Sequence, residues 1–228
     1  MSELLPVFLN LTGRQVVLVG AGHVATAKLR QLLAADATVR VVAPDVTREI
    51  WQTALSAESE VTLLQRPFEP KDLDGAWLVV AAATPDVNRQ VSEAAEARRI
   101  FVNAVDDPAN ASAYLSGVVR RDGVTLAIST SGAAPALAAL LREALDALLP
   151  RDLASWVWQA RVERLAWRRD GVPMEARKPH LLRALNALYT DSGERGEQAE
   201  HVRFPVAAIS ADRGPRVPWL NAPEDSWL

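Results

Sequence analysis

The sequence contains no cysteine. Disulfides, thiolate nucleophiles, zinc–thiolate sites and protein-ligated iron–sulfur clusters are therefore excluded. A basic surplus is missing as well: 25 Lys and Arg face 28 Asp and Glu, for a formal net charge of −3. Dedicated nucleic-acid binders carry strong positive charge, so no nucleic-acid partner is expected. No apolar run approaches the ~20 residues of a membrane span. The opening MSELLPVFLNLTGRQVVLV has Glu3 and Pro6 and no basic region, unlike a secretory leader. No membrane partner is expected, and the cytoplasm is the default address.

What is present is an ordinary globular composition. Hydrophobic residues make up 49% and charged residues 23% of 228 residues, enough for one large domain, alone or with a helical appendage. Five short apolar runs stand out: QVVLVG (15–20), TVRVVAP (38–44), VTLLQ (61–65), AWLVVAAA (76–83) and IFVNAV (100–105). They are rich in valine and most do not alternate with polar residues, which suits strands covered on both faces of a parallel sheet. Helical spacing fills the gaps: Val24, Leu29, Leu32 and Leu33, then 47–58, then 86–99. This alternation predicts an α/β, Rossmann-type sheet with right-handed crossovers over residues 1–112.

After Asp106 the pattern changes. Residues 113–130 read as two β-type runs joined through Arg121-Asp122-Gly123, a tight-turn signal. A helix follows over 134–150, with Pro135 in its first turn and Pro150 at its end. Its Leu137, Leu140, Leu141, Leu145 and Leu148 share one face, which suits a dimer contact or ordinary core packing. Residues 113–150 thus form a hairpin–helix region. A helical region over 151–190 (helices near 152–169 and 180–190, broken near Gly171 and Pro173) and a tail over 191–228 complete the chain. The tail is rich in Gly, Pro and charge and reads as loosely ordered, with Trp219 and Trp227 available to pin it.

The most informative short motif is VVLVGAGHVATAKL. It puts Gly20, Gly22 and Ala25 in a G-x-G-x-x-A pattern directly after the first strand. Gly20 permits the tight turn, Gly22 lets backbone approach a diphosphate, and Ala25 permits close helix–strand packing. The helix start then offers free N–H groups and a positive dipole end to the anion. The pattern alone is weak; opening the first strand–helix unit of a five-strand series supplies its context. NAD is the expected cofactor. The second strand ends VVAPDVTR, so Asp45 is a late candidate for a ribose hydroxyl, and Arg48 is the residue that would approach a 2′-phosphate. His23 sits in the loop, facing phosphates or solvent rather than doing acid–base work.

Four separated motifs, in order and spacing, carry a family resemblance: the glycine pair, AAATPDVNRQV, FVNAVDDP and AISTSGAAPALAALLRE. With the opening LLPVFLNLTGRQVVLVGAG, they make residues 3–150 resemble precorrin-2 dehydrogenase, the N-terminal module of sirohaem synthases. The resemblance implies oxidation of precorrin-2 to sirohydrochlorin with NAD, and in some members insertion of ferrous iron. It also implies a homodimer that exchanges the hairpin–helix region. Carried over by position, His23, Val24, Pro44 and Asp45 are nucleotide-contacting positions beside Gly20, Gly22 and Ala25; Thr84, in the AAATPDVNRQV motif, is a further cofactor-binding candidate. Asp106 is the implied catalytic aspartate, with Asp107 as a variable spacer before Pro108. Asp36 stands where the family often has glycine. No resident metal is implied.

Physical chemistry gives Asp106 a reason of its own. Ligands of open parallel sheets bind outside the carboxyl ends of the strands, and Asp106 is the first residue beyond the fifth apolar run. Hydride departure from a macrocycle also releases a proton, which a nearby carboxylate accepts. Taken alone, Asp106-Asp107-Pro108 reads first as a capped turn; the resemblance reverses that order. Ser129, Thr130, Ser131 and Gly132 precede a helix start suited to a substrate carboxylate, and plain capping explains the same letters. Asn103 is a polar residue inside a strand that must find a partner, reaching either the cofactor or the neighbouring strand. Arg161, Arg164 and Arg168 share a helix face that suits a polycarboxylate or simply solvent. A different class of function is compatible with the loop: a module that senses NAD(H) without turnover. Short-chain dehydrogenase chemistry is disfavoured, because neither Tyr114 nor Tyr189 has a lysine four residues on.

Overall fold

The computed structural model describes residues 4–57 and 59–190. The expectations for 191–228, including Trp219 and Trp227, lie outside the described residues. The described residues divide into two compact units, with the boundary between Ala154 and Ser155.

The first unit is built on five parallel strands: β1 (Gln15–Val19), β2 (Thr38–Val42), β3 (Val61–Leu64), β4 (Leu78–Ala81) and β5 (Phe101–Ala104), in the order β3-β2-β1-β4-β5. Helices α1 (His23–Leu33), α2 (Arg48–Ser56) and α3 (Pro85–Glu96) connect them. The non-alternating valine runs are explained by burial on both faces. Val16, Leu18, Val39, Val41 and Val80 pack with Ala25, Leu29 and Ile50 on one side. Val17, Val19, Val79 and Val102 pack with Leu73, Val91 and Ala95 on the other. The strands are shorter than the apolar runs because the carboxyl ends of the runs leave the ladder to form the rim where the site lies.

Helix ends follow from local backbone chemistry. The third helix stops at Glu96, short of the expected residue 99, because Arg99 adopts a left-handed φ of 57°. Asp36, in the turn before β2, also has a left-handed φ of 55°, which accounts for glycine being suited to that position. The hairpin forms as β6 (Gly117–Arg121) and β7 (Val124–Ile128). Asp122 and Gly123 both take positive φ (50° and 83°), as a two-residue type I′ turn requires. Helix α4 (Pro135–Leu148) lies along the hairpin, with the Arg121 guanidinium donating to the Asp146 and Leu149 carbonyls at 2.7 and 3.2 Å.

The second unit begins within α5 (Leu153–Arg169) and includes α6 (Met174–Thr190). The expected start of the last helix at 180 is corrected: it begins at Met174 and runs through Pro179. A proline there removes one backbone donor early in the helix. The favourable formers Glu175, Ala176, Arg177 and Lys178 carry the first turn past that loss.

Candidate active site at the carboxyl rim of the sheet

Strand register brings the distant sequence motifs into one row. Val42, Val19, Ala81 and Ala104 are paired across β2, β1, β4 and β5. The residues just beyond them, Ala43-Pro44, Gly20, Ala82 and Val105-Asp106, therefore share one edge. Neighbouring strands lie ~4.8 Å apart, so Gly20 and the β5 end are separated by roughly 10 Å. The chain reverses its winding between β1 and β4, and ligands of open α/β sheets bind at such a switch point.

Gly20 makes the turn possible. Its φ is 105°, and a Cβ there would lie 2.2 Å from the Ala82 carbonyl oxygen. Gly22 follows in extended geometry as the N-cap of α1, and a Cβ on it would meet nothing within 4 Å. The first helical bond runs from the Thr26 N–H to the Gly22 carbonyl at 3.1 Å. The N–H groups of His23, Val24 and Ala25 therefore precede the ladder and face outward with the positive helix end. Bare backbone, open space at Gly22 and a first turn free of acidic residues fit a nucleotide diphosphate. Ala25 is fully buried against the sheet, so only its N–H can meet a ligand. His23 is the exposed first residue of α1.

At the β2 end Pro44 and Asp45 are exposed. The Thr47 N–H donates to the Ala21 carbonyl at 3.2 Å, tying this segment to the phosphate loop, while Thr47 Oγ1 is buried with no partner. Thr84 is the exposed N-cap of α3. The loop it belongs to is fixed by buried Asn88, whose Oδ1 accepts the Ala83 N–H at 3.1 Å. Asn103 Nδ2 donates to the Ala113 carbonyl at 3.0 Å, in the segment after β5 rather than in a neighbouring strand, and Oδ1 is buried without a partner.

A cleft of about 550 Å³ opens at the β4–β5 end of the row, lined by Val24, Ala82, Ala83, Asn88, Arg89, Asp106, Asp107 and others. The two aspartates differ sharply in it. Asp107 starts a short 3₁₀ turn, Pro108–Asn110, and its Oδ2 accepts the Asn110 side-chain amide at 2.8 Å. Asp106 is exposed, holds a left-handed φ of 55°, and has no side-chain hydrogen bond among the described residues. Aspartate tolerates this region better than most residues, at a cost of roughly 1 kcal/mol.

The loop 129–132 reaches the same place. A Cβ on Gly132 would lie 3.3 Å from the Pro108 ring. Ser129 Oγ accepts the Ser131 N–H (3.1 Å) and Thr130 Oγ1 accepts the Ala134 N–H (3.2 Å), so these hydroxyls shape the entry to α4. Ser131 is exposed, at a left-handed φ of 54°. Arg161 and Arg164 are exposed on α5, in the second unit.

Sequence reasoning missed Lys28, Asn88 and Asn110. Asn88 sits four residues after Thr84, a spacing that lets its side chain reach back over the helix start. Lys28 is half-buried on α1, one helical turn after Val24. Burial pushes its ammonium down from the usual lysine range, and the field of Asp106 pulls it partly back. Asp106 and Lys28 are thus electrostatic neighbours.

Known proteins resemble the chain over the residues that build this fold. A family described as "Putative NAD(P)-binding" matches residues 7–117, and one described as "Sirohaem biosynthesis protein central" matches residues 121–148. Siroheme synthase 2 of Klebsiella pneumoniae is 46% identical over 153 residues, covering 65% of this chain and 32% of that protein. Siroheme synthase 3 of Aeromonas hydrophila is 44% identical over 154 residues, covering 67% and 32%. The chain thus spans about a third of the length of these curated relatives. The solved structure titled "SirC, precorrin-2 dehydrogenase" superposes with a TM-score of 0.64 at 25% identity, covering 84% of this chain and 94% of that one. The chain belongs to the NAD(P)-binding sirohaem-biosynthesis family that includes the sirohaem synthases and precorrin-2 dehydrogenase.

Proposed function

We propose that the protein is an NAD-dependent precorrin-2 dehydrogenase that makes sirohydrochlorin. The observation that carries this is the shared rim: a diphosphate-ready loop and an uncommitted carboxylate stand two strands apart on one edge. NAD supplies the hydride acceptor when bound. Backbone N–H groups of His23, Val24 and Ala25 hold the diphosphate, Gly20 and Gly22 admit it, and Pro44, Asp45 and Thr84 border the nucleotide. Asn103 Oδ1, buried without a partner, is the acceptor this reading assigns to the cofactor. Asp106 takes the proton released as the ring loses hydride. Ser131 and the backbone at Gly132 receive a substrate carboxylate beside Pro108, with Ser129 and Thr130 shaping that loop. Arg161 and Arg164 contribute positive charge to a polycarboxylate substrate.

The functional form in this reading is a homodimer acting in the cytoplasm. No residue of α4 is buried, and Leu137 and Leu148 are 47% and 63% exposed, an apolar stripe that a second copy covers. Light scattering is expected to give twice the chain mass; a monomer at micromolar concentration contradicts this part.

The activity is tested by incubating the protein with precorrin-2 and NAD. The expected result is NADH together with the sirohydrochlorin absorption spectrum. Binding of NAD with no NADH would instead identify a sensor. Repeating with ferrous ion as a second substrate tests metal insertion, for which the same carboxylate supplies a hard oxygen ligand.

A further inference from the structure

Asp106 is poorly held by its own surroundings. Its loop partner Asp107 is anchored by Asn110, whereas the Asp106 carboxylate has no side-chain bond among the described residues and extends from a left-handed backbone. A base must be held in place to accept a proton at a chosen atom, and once a ring and nucleotide cover the cleft, water no longer solvates its charge.

Two cations are near enough to help. Arg89 lines the cleft, but its guanidinium is already paired with Asp86. Lys28 has no hydrogen bond or ion pair within 4 Å among the described residues. It follows Val24, which lines the cleft, by one turn, so it lies on the same flank of α1. The adjacent, buried face of α1 faces the sheet: Ala25 and Leu29 belong to the same apolar cluster against which Val105, the residue before Asp106, packs. Lysine is a costly choice for a half-buried position unless its charge is used.

We propose that Lys28 is a positioning residue for Asp106, the fixed cation that draws the carboxylate into the cleft and balances its charge when ligands exclude water. This rests on the dehydrogenase reading for its consequence but not for the pairing itself. Lys28 acts through Asp106. Removing its charge therefore leaves the diphosphate loop intact and loosens the base. Arginine, longer but still cationic, recovers most of the effect.

The test has two arms. With three lysines in the chain, Lys28, Lys71 and Lys178, reductive ¹³C-methylation gives resolvable side-chain signals. The Lys28 signal is expected to titrate below the other two in the wild type, and lower still in Asp106→Asn; an unmoved midpoint overturns the pairing. In steady-state assays, Lys28→Met is expected to lower kcat by roughly 10–100-fold. KM and NAD affinity should stay within about threefold, and Lys28→Arg should return kcat to within about threefold of wild type. Lys28→Gln repeats the measurement if the methionine variant does not fold. A rise in KM with kcat unchanged, or no rescue by arginine, overturns the proposal. If the wild type forms no NADH from precorrin-2, the dehydrogenase reading fails, and the lysine titration alone decides whether the pair exists.

Discussion

Asp106→Ala is expected to reduce precorrin-2 turnover by at least ~10²-fold, the lower bound for loss of a positioned general base. NAD affinity should stay near the wild-type value. In the proposed reading the nucleotide is held by backbone at the β1–α1 turn, which lies two strands away from β5. Alanine also disfavours the φ of 55° found at position 106. Asp106→Asn is therefore the sharper variant: asparagine accepts that backbone, keeps the shape and removes only the proton acceptor. Both should be equally inactive if the carboxylate is the base. Asp107→Ala is expected to cost less than about threefold in kcat. Its lost bond to Asn110 should appear instead as roughly 1 kcal/mol of stability. Single-turnover formation of NADH, with thermal unfolding in parallel, separates these outcomes. Inactive Asp107→Ala beside active Asp106→Asn would reverse the assignment of the two residues.

The second large effect concerns the two loop glycines, which should fail in different ways. At Gly20, alanine would place Cβ 2.2 Å from the Ala82 carbonyl oxygen and 2.7 Å from its carbon, at a φ of 105°. Backbone must then move, and overpacking plus strain together amount to roughly 3–5 kcal/mol. Gly20→Ala should therefore express poorly or melt well below the wild type. At Gly22, φ is −83° and a Cβ meets nothing within 4 Å. Gly22→Ala should fold normally, yet bind NAD at least ~10-fold more weakly, because the methyl occupies the approach of the diphosphate. Calorimetry of both variants with and without NAD reads the two effects. Wild-type NAD affinity in Gly22→Ala would remove the diphosphate from that turn.

Much of this geometry is legible in the residues. The valine runs announce two-sided burial, the glycine pattern follows a strand, and Asp122-Gly123 marks the hairpin. The separate tasks of Asp106 and Asp107 are posed by the family resemblance, since the residues alone read as a turn. Three features were hidden for physical reasons. The left-handed backbone at Asp106 lies between a Val105 N–H bonded to the Ala81 carbonyl, a partner remote in sequence, and the turn at Pro108. The neighbourhood of Lys28 and Asp106 joins α1 to β5 across 78 residues, and a lysine on an amphipathic helix looks like solvated surface until burial is known. The helix running through Pro179 shows the converse: a strong local breaker signal overridden because only one donor is lost near the helix start.

A crystal structure of the NAD complex tests the central claim most directly. The account predicts the diphosphate over the N–H groups of His23, Val24 and Ala25, with the nicotinamide ring in the cleft between Val24 and Asp106. A nicotinamide directed away from Asp106, or a nucleotide bound in the groove at the opposite sheet edge lined by Phe8, Trp77 and Phe101, would contradict it.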